Sequence, residues 1–188
     1  MNDPRRFARL RGGDRSAGPG FSVVPSDGMC LSAYLVVRPP SDERKVLLGR
    51  LDPSAEWLEV GGLTPDRVRS IGDRWMLPSC HLLLLESPDD AARRIAREQL
   101  ASELPRVEGL SVHSEGYRRP GETEGDPHWD LQFVYRVRWS SDRPPLAPVW
   151  RELAFRDLDR LPREEIARAQ GDVLDLVGLS PGAGRGRA

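Results

Sequence analysis

The chain has 188 residues, 38% of them hydrophobic and 30% charged, with 28 basic against 29 acidic side chains. That is the size and composition of one globular domain, outside the disordered and collagen-like ranges, and a formal charge of −1 gives no global field to draw it to nucleic acid or an anionic membrane. The longest apolar runs, Leu31 to Val37 and Leu82 to Leu85, fall far short of the ~18 residues of a membrane span.

The first twenty residues carry Arg5, Arg6, Arg9, Arg11 and Arg15 among glycines, with Phe7 and Leu10 as the large apolar groups. They read as a mobile basic arm, without the apolar core of a secretory signal. Cys30 to Arg38 is a β-rich apolar run, Pro39 to Asp42 a turn, and Lys45 to Arg50 a second short strand, so a hairpin is expected. Glu56 to Val60 reads as extended, Thr64-Pro65-Asp66 as a helix start for the segment to Gly72, and Pro78 to Glu86 as a loop leading into an apolar extended stretch.

The strongest helix follows. Ser87 is an N-cap residue, Pro88 suits the first helical position, Asp89 and Asp90 complement the dipole, and Ala91, Ala92, Ile95, Ala96 and Leu100 form a stripe at helical spacing. The helix is expected over 88–103, stopped before Pro105. Leu110 to Tyr117 reads as a strand and Arg118 to Pro127 as a polar loop. From His128 to Trp139, Trp129, Leu131, Phe133, Tyr135, Val137 and Trp139 alternate with His128, Asp130, Gln132, Arg136 and Arg138. The alternation predicts a strand with the aromatic series facing the core and His128 and Asp130 on the other side; an exposed aromatic series would mark a homodimer interface instead. Trp150 to Phe155 is a last strand, Pro162 to Val177 a last helix, and 180–188 a disordered Gly/Arg tail. This order predicts an α+β domain over 21–179, a mixed central sheet between helices. Two cysteines, Cys30 and Cys80, suit free thiols in a reducing cytoplasm.

The stretch from Cys80 to Ser102 resembles a Nudix box, whose pattern is G, five residues, E, seven residues, then R-E-U-x-E-E-x-G-U with U bulky and aliphatic. Glu86, Arg94 and Glu98 match it. Cys80 stands at the glycine, Ile95 and Gln99 at two of the helix glutamates, and Ala101 and Ser102 at the closing glycine and aliphatic. The wider order over residues 29–178 is similar to the family as well, which implies a Nudix-like α/β/α sandwich.

In that family the helix carboxylates collect Mg²⁺ or Mn²⁺, because hard cations need oxygen ligands and a pyrophosphate under attack needs its charge neutralised. Positions 95, 98 and 99 share one helix face. Here they leave Glu98 as the one metal ligand and catalytic carboxylate, with Glu122 and Glu124 of the polar loop as supplements. Glu86 and Arg94 are expected to pair as scaffold. Trp57, Trp75 and Trp129 could stack a nucleobase, and His128 and Asp130 could contact substrate; the same tryptophans also suit a packed core. The implied function is a nucleotide-binding domain with weak or absent hydrolysis. The alternative is an active Mg²⁺- or Mn²⁺-dependent hydrolase of nucleoside diphosphates linked to another moiety. The expected partner is a nucleotide-type small molecule; membrane and nucleic acid are not.

Overall fold

The computed structural model describes residues 9–10, 29–117, 128–145 and 149–182. A mixed five-stranded sheet is centred on β2 (Met29–Arg38), which pairs in parallel with β6 (His128–Arg138) along its whole length. Beyond β6 lies antiparallel β5 (Arg106–Tyr117). The other edge of β2 is shared by β1 (Arg9–Leu10) and β4 (Ser79–His81), both antiparallel to it. β3 (Lys45–Leu51) pairs instead with β7 (Trp150–Asp157) in a separate two-stranded sheet. The architecture is α+β, and no helix among the described residues is long and apolar enough to cross a membrane.

Several expectations are corrected here. β2 and β3 form where the apolar runs lie, but not as a hairpin, because β3 takes β7 as its ladder partner and buries both faces. Leu47 joins the cluster under α3 (Pro88–Leu100), whereas Val46 and Leu48 join the cluster that includes Val173 and Leu174. Gly49 within β3 has to be glycine: a Cβ there would lie 2.2 Å from the Trp150 ring.

The segment read as extended over 56–60 is a short helix, α1 (Trp57–Gly61), followed by α2 (Pro65–Ile71), where Thr64 caps the first turn. After β4 the chain turns rather than extends: Leu82 is buried, but Leu84 and Leu85 protrude, Leu85 at positive φ and 97% exposed. The last helix begins later than expected, as a 3₁₀ turn over Arg163–Glu165 and then α4 (Gln170–Leu176). Two residues of the basic arm, Arg9 and Leu10, form β1; the rest of the arm and residues 183–188 lie outside the described residues.

α3 starts as its sequence dictates, with Asp90 N donating to Ser87 Oγ at 3.1 Å. It ends at Ala101, which takes the left-handed conformation (φ 48°) where the family pattern has glycine. Its apolar stripe packs on Ala33, Leu35, Val37, Tyr135 and Val137. The opposite face of the sheet carries Tyr34, Val36 and Val134 into the cluster with Trp75, Leu158 and Leu161.

β6 alternates as its period demands, but the first half inverts the expected burial. His128, Asp130 and Gln132 are buried, whereas Trp129 is exposed and Leu131 and Phe133 are half-buried. The polar series faces the side of the sheet away from α3, while Trp129, on the same face as Tyr135, is left exposed and donates its Nε1–H to Ser114 Oγ at 2.7 Å.

Candidate functional site

The box residues form a closed structural knot. Arg94 Nε and Nη2 donate to the two carboxylate oxygens of Glu86 at 2.8 and 2.7 Å, both side chains being largely buried. The same guanidinium reaches His81 O at 3.0 Å and Val60 O at 3.3 Å, tying α3 to β4 and α1. Leu83 N donates to Glu86 at 2.8 Å, which fixes the turn ahead of the helix. Burial pushes the Glu86 carboxyl up, but hydrogen bonds from Arg94 and Leu83 and the Arg94 charge outweigh it, so its pKa is lowered. Burial also pushes the neighbouring Cys80 thiol up to about 12, which makes it an inert core group at neutral pH.

The residues that a divalent cation would need do not fit it. Ile95 is a core side chain. Gln99 is fully buried, and both ends of its amide are used: Ser79 N donates to its oxygen at 3.1 Å, and its nitrogen donates to Ser79 O at 2.7 Å. Glu98 is half-buried on α3 and does not line the cleft described next. No group of three or more His, Cys, Asp or Glu side chains among the described residues is arranged to hold a metal ion. A hard cation wants several oxygen ligands at once, and this helix face brings one carboxylate. Glu122 and Glu124 lie outside the described residues.

Trp57 and Trp75 offer no ring face to a ligand. Trp57 packs edge-on against Trp150 with centroids 4.8 Å apart and donates its Nε1–H to Asp52 O at 2.9 Å. Trp75 is buried between two guanidinium groups, with the Arg50 and Arg156 carbons 4.4 and 4.8 Å from its centroid. Both belong to the packed interior.

Open space lies on the other face of the sheet. A cleft of ≈ 720 Å³ is lined by the polar ends of β2, β4, β5 and β6, by α2 and the residues just before it, and by the start of α4. That volume suits a small organic ligand. Sheet register sets its floor. His81, Ser32, Gln132 and His113 stand in one row across β4, β2, β6 and β5, and Cys30, Asp130 and Glu115 stand in the next.

Within these rows Ser32 Oγ donates to Asp130 Oδ1 at 2.9 Å, which spends its only proton. The 3.3 Å contact between His81 Nδ1 and Ser32 Oγ therefore has the imidazole as donor. Gln132 Nε2 donates to Glu115 Oε2 at 3.2 Å and to Asp130 Oδ2 at 3.5 Å. Burial raises the Glu115 carboxyl, and the fields of Asp172 and Asp130 push it further; the Gln132 hydrogen bond pulls the other way without prevailing.

Thus His128 and Asp130 are brought together at the cleft, while Glu98, Trp57 and Trp75 lie apart from it. Ser32, Glu115, Gln132 and Asp172 escape a reading of the sequence aimed at the box. The one available signal is the two-residue period of the strands, which sets His113 with Glu115 and Asp130 with Gln132 but names no partner across the sheet.

No protein-family model matches the sequence, and no curated protein matches it. The fold does match solved structures. The MutT Nudix hydrolase from Burkholderia pseudomallei superposes with a TM-score of 0.53 at 19% identity, covering 79% of this chain and 98% of that one. The MutT protein from Methanosarcina mazei Go1 gives 0.52 at 16% identity, over 80% and 93%. The chain therefore has a Nudix-like fold, and at such identities the likeness is one of fold.

Proposed function

We propose that this chain is a binding domain on a Nudix-like fold, which holds a nucleotide-type small molecule in the cleft and hydrolyses it weakly or not at all. One observation carries the reading: Gln99 spends both ends of its amide on the Ser79 peptide beside a buried Ile95. A helix face so used supplies neither the oxygen ligands nor the charge that metal-assisted pyrophosphate cleavage requires. The cleft of ≈ 720 Å³ with its hydrogen-bonded polar floor supports retention of binding. The free thiols of Cys30 and Cys80 suit work in a reducing cytoplasm.

The test is a phosphate-release assay on ADP-ribose, NADH and diadenosine polyphosphates with Mg²⁺ or Mn²⁺, run beside a calorimetric metal titration. The expected result is feeble metal binding and little or no turnover. Turnover at ~1 s⁻¹ or faster, abolished by Glu98→Gln, would overturn the reading and direct attention to Glu122 and Glu124.

A further inference from the structure

β5 ends the mixed sheet. Among the described residues β6 is the one strand paired with it, so the outer row of its backbone N–H and C=O groups faces away from the ladder. Glu108 makes a bulge, since Val107 stands opposite Val137 and Gly109 opposite Arg136. From Gly109 to Tyr117 the strand runs on without a bulge, a proline or a lysine, devices that discourage pairing at an edge.

The same strand carries an apolar stripe. Val107, Leu110 and Val112 stand opposite Val137, Tyr135 and Phe133 on the α3 face of the sheet, yet the cluster under α3 takes in Tyr135 and Val137 and leaves Leu110 47% and Val112 54% exposed. The two ends of β5 carry opposite charges on the other face. Arg106 is exposed, has no ion pair among the described residues and stands opposite Arg138. Glu115 is half-buried, stands opposite Asp130 and accepts from Gln132 through Oε2.

These features complement themselves. Counted around the bulge, an antiparallel copy related by a two-fold axis at Ser111 sets Leu110 opposite the partner's Val112, Val107 opposite the partner's Ser114, Gly109 opposite the partner's His113 and Arg106 opposite the partner's Glu115. Every pair occurs twice and on matching faces. Moving the axis to Leu110 or Val112 also matches the faces, but it sets Arg106 opposite the partner's His113 or the partner's Tyr117, so charge selects the axis at Ser111.

We propose that β5 is the pairing edge of a homodimer in this register, in which the two mixed sheets become one. Each edge gains a ladder, each apolar stripe gains cross-strand neighbours, and each Arg106 gains a carboxylate. One strand and a narrow stripe make a small interface, so association in the ~10–100 µM range is expected. In more dilute solution the chain is a monomer, and Glu115 keeps the surroundings described above.

The experiment is sedimentation equilibrium on the full chain, followed up to ~500 µM. A reversible dimer is expected. Arg106→Glu, which sets two like-charged pairs across the axis, should weaken it about tenfold or more, and adding Glu115→Lys should restore it to within about threefold. Circular dichroism establishes that each variant is folded. Oxidative cross-linking reads the register separately. Ser111→Cys places two thiols directly opposite across the axis, with Cα atoms ~4.5–5.5 Å apart and within disulfide reach, whereas Val107→Cys meets the partner's Ser114. Ser111→Cys is expected to form a covalent dimer about tenfold faster or more. A chain that stays monomeric at ~500 µM, a dimer indifferent to Arg106→Glu or not restored by the charge exchange, or equal cross-linking at the two positions would overturn the proposal.

Discussion

The two faces of the β2–β6 sheet use polar side chains in opposite ways. On the α3 side, Arg94, Glu86 and Gln99 spend their hydrogen bonds on backbone and on one another, closing the junction between β4, α1 and the helix. On the far side, Ser32, Asp130, Gln132 and Glu115 bond one another beside open space. The first arrangement stabilises a fold, and the second can be altered by whatever enters. The box positions that tie the loop to the helix are retained, those that would collect cations are replaced by an aliphatic and an amide, and the polar groups available to a ligand sit on the strands.

If that contrast holds, damage on the α3 side should appear as lost stability. Arg94→Ala has the largest expected effect, since it leaves the Glu86 carboxylate buried without its partner and frees the carbonyls of Val60 and His81. Breaking such a pair from one side costs about 3–5 kcal/mol, readable as a fall in the urea midpoint. A cost under ~1 kcal/mol, the range of an exposed pair, would break the comparison.

Gln99→Glu comes next and tests the closed face directly. A carboxylate can still accept from Ser79 N, but it sets oxygen against Ser79 O where the amide nitrogen now donates at 2.7 Å. In a fully buried position the lost bond costs about 1–3 kcal/mol, and more for a charged group. The variant should be less stable and should gain no affinity for Mn²⁺ by calorimetry. A stable variant that binds Mn²⁺ markedly better would show that the helix face is open to cations after all.

How much of this was legible in the sequence differs between the two sides for a physical reason. α3 is written locally: the Ser87 cap, Pro88, the first-turn acids and the stripe through Ile95 all lie within one turn or two of what they act on. Glu86 and Arg94 are eight residues apart and meet across the same cap. The hairpin expected from β2 and β3 fails because pairing is decided between distant segments, and β7, a hundred residues on, takes β3. Trp57 and Trp75 show the same limit: composition cannot say whether an aromatic ring faces a ligand or, as with Trp75, two arginines. The strand period sets Asp130 against the aromatic series, but the cleft that gives the polar series its meaning is built from α2, α4 and three other strands. A site assembled across a sheet has no short sequence spacing to betray it.

The smallest expected effect lies on the open side and has the opposite sign. The Glu115 carboxyl is raised first by burial, then by the charges of Asp172 and Asp130, against the pull of Gln132, so its ionised form is disfavoured in the folded chain. A group whose carboxyl holds its proton more tightly folded than unfolded favours the folded state at low pH, and that contribution is lost as pH rises through the folded value. At neutral pH Glu115 is therefore a mild liability. Glu115→Gln, which removes the charge and keeps the size, should raise Tm by ~1–2 °C at pH 7, as expected for a partly exposed site. The gain should shrink as pH falls through the ordinary glutamate value near ~4.3 and vanish below it, where the wild-type carboxyl is protonated in the folded and unfolded states alike. Thermal melts of both proteins across that interval read the effect. A variant that melts lower than wild type at pH 7 would mean that Glu115 already holds a stabilising contact, and the cleft floor would then belong with the α3 side as structure.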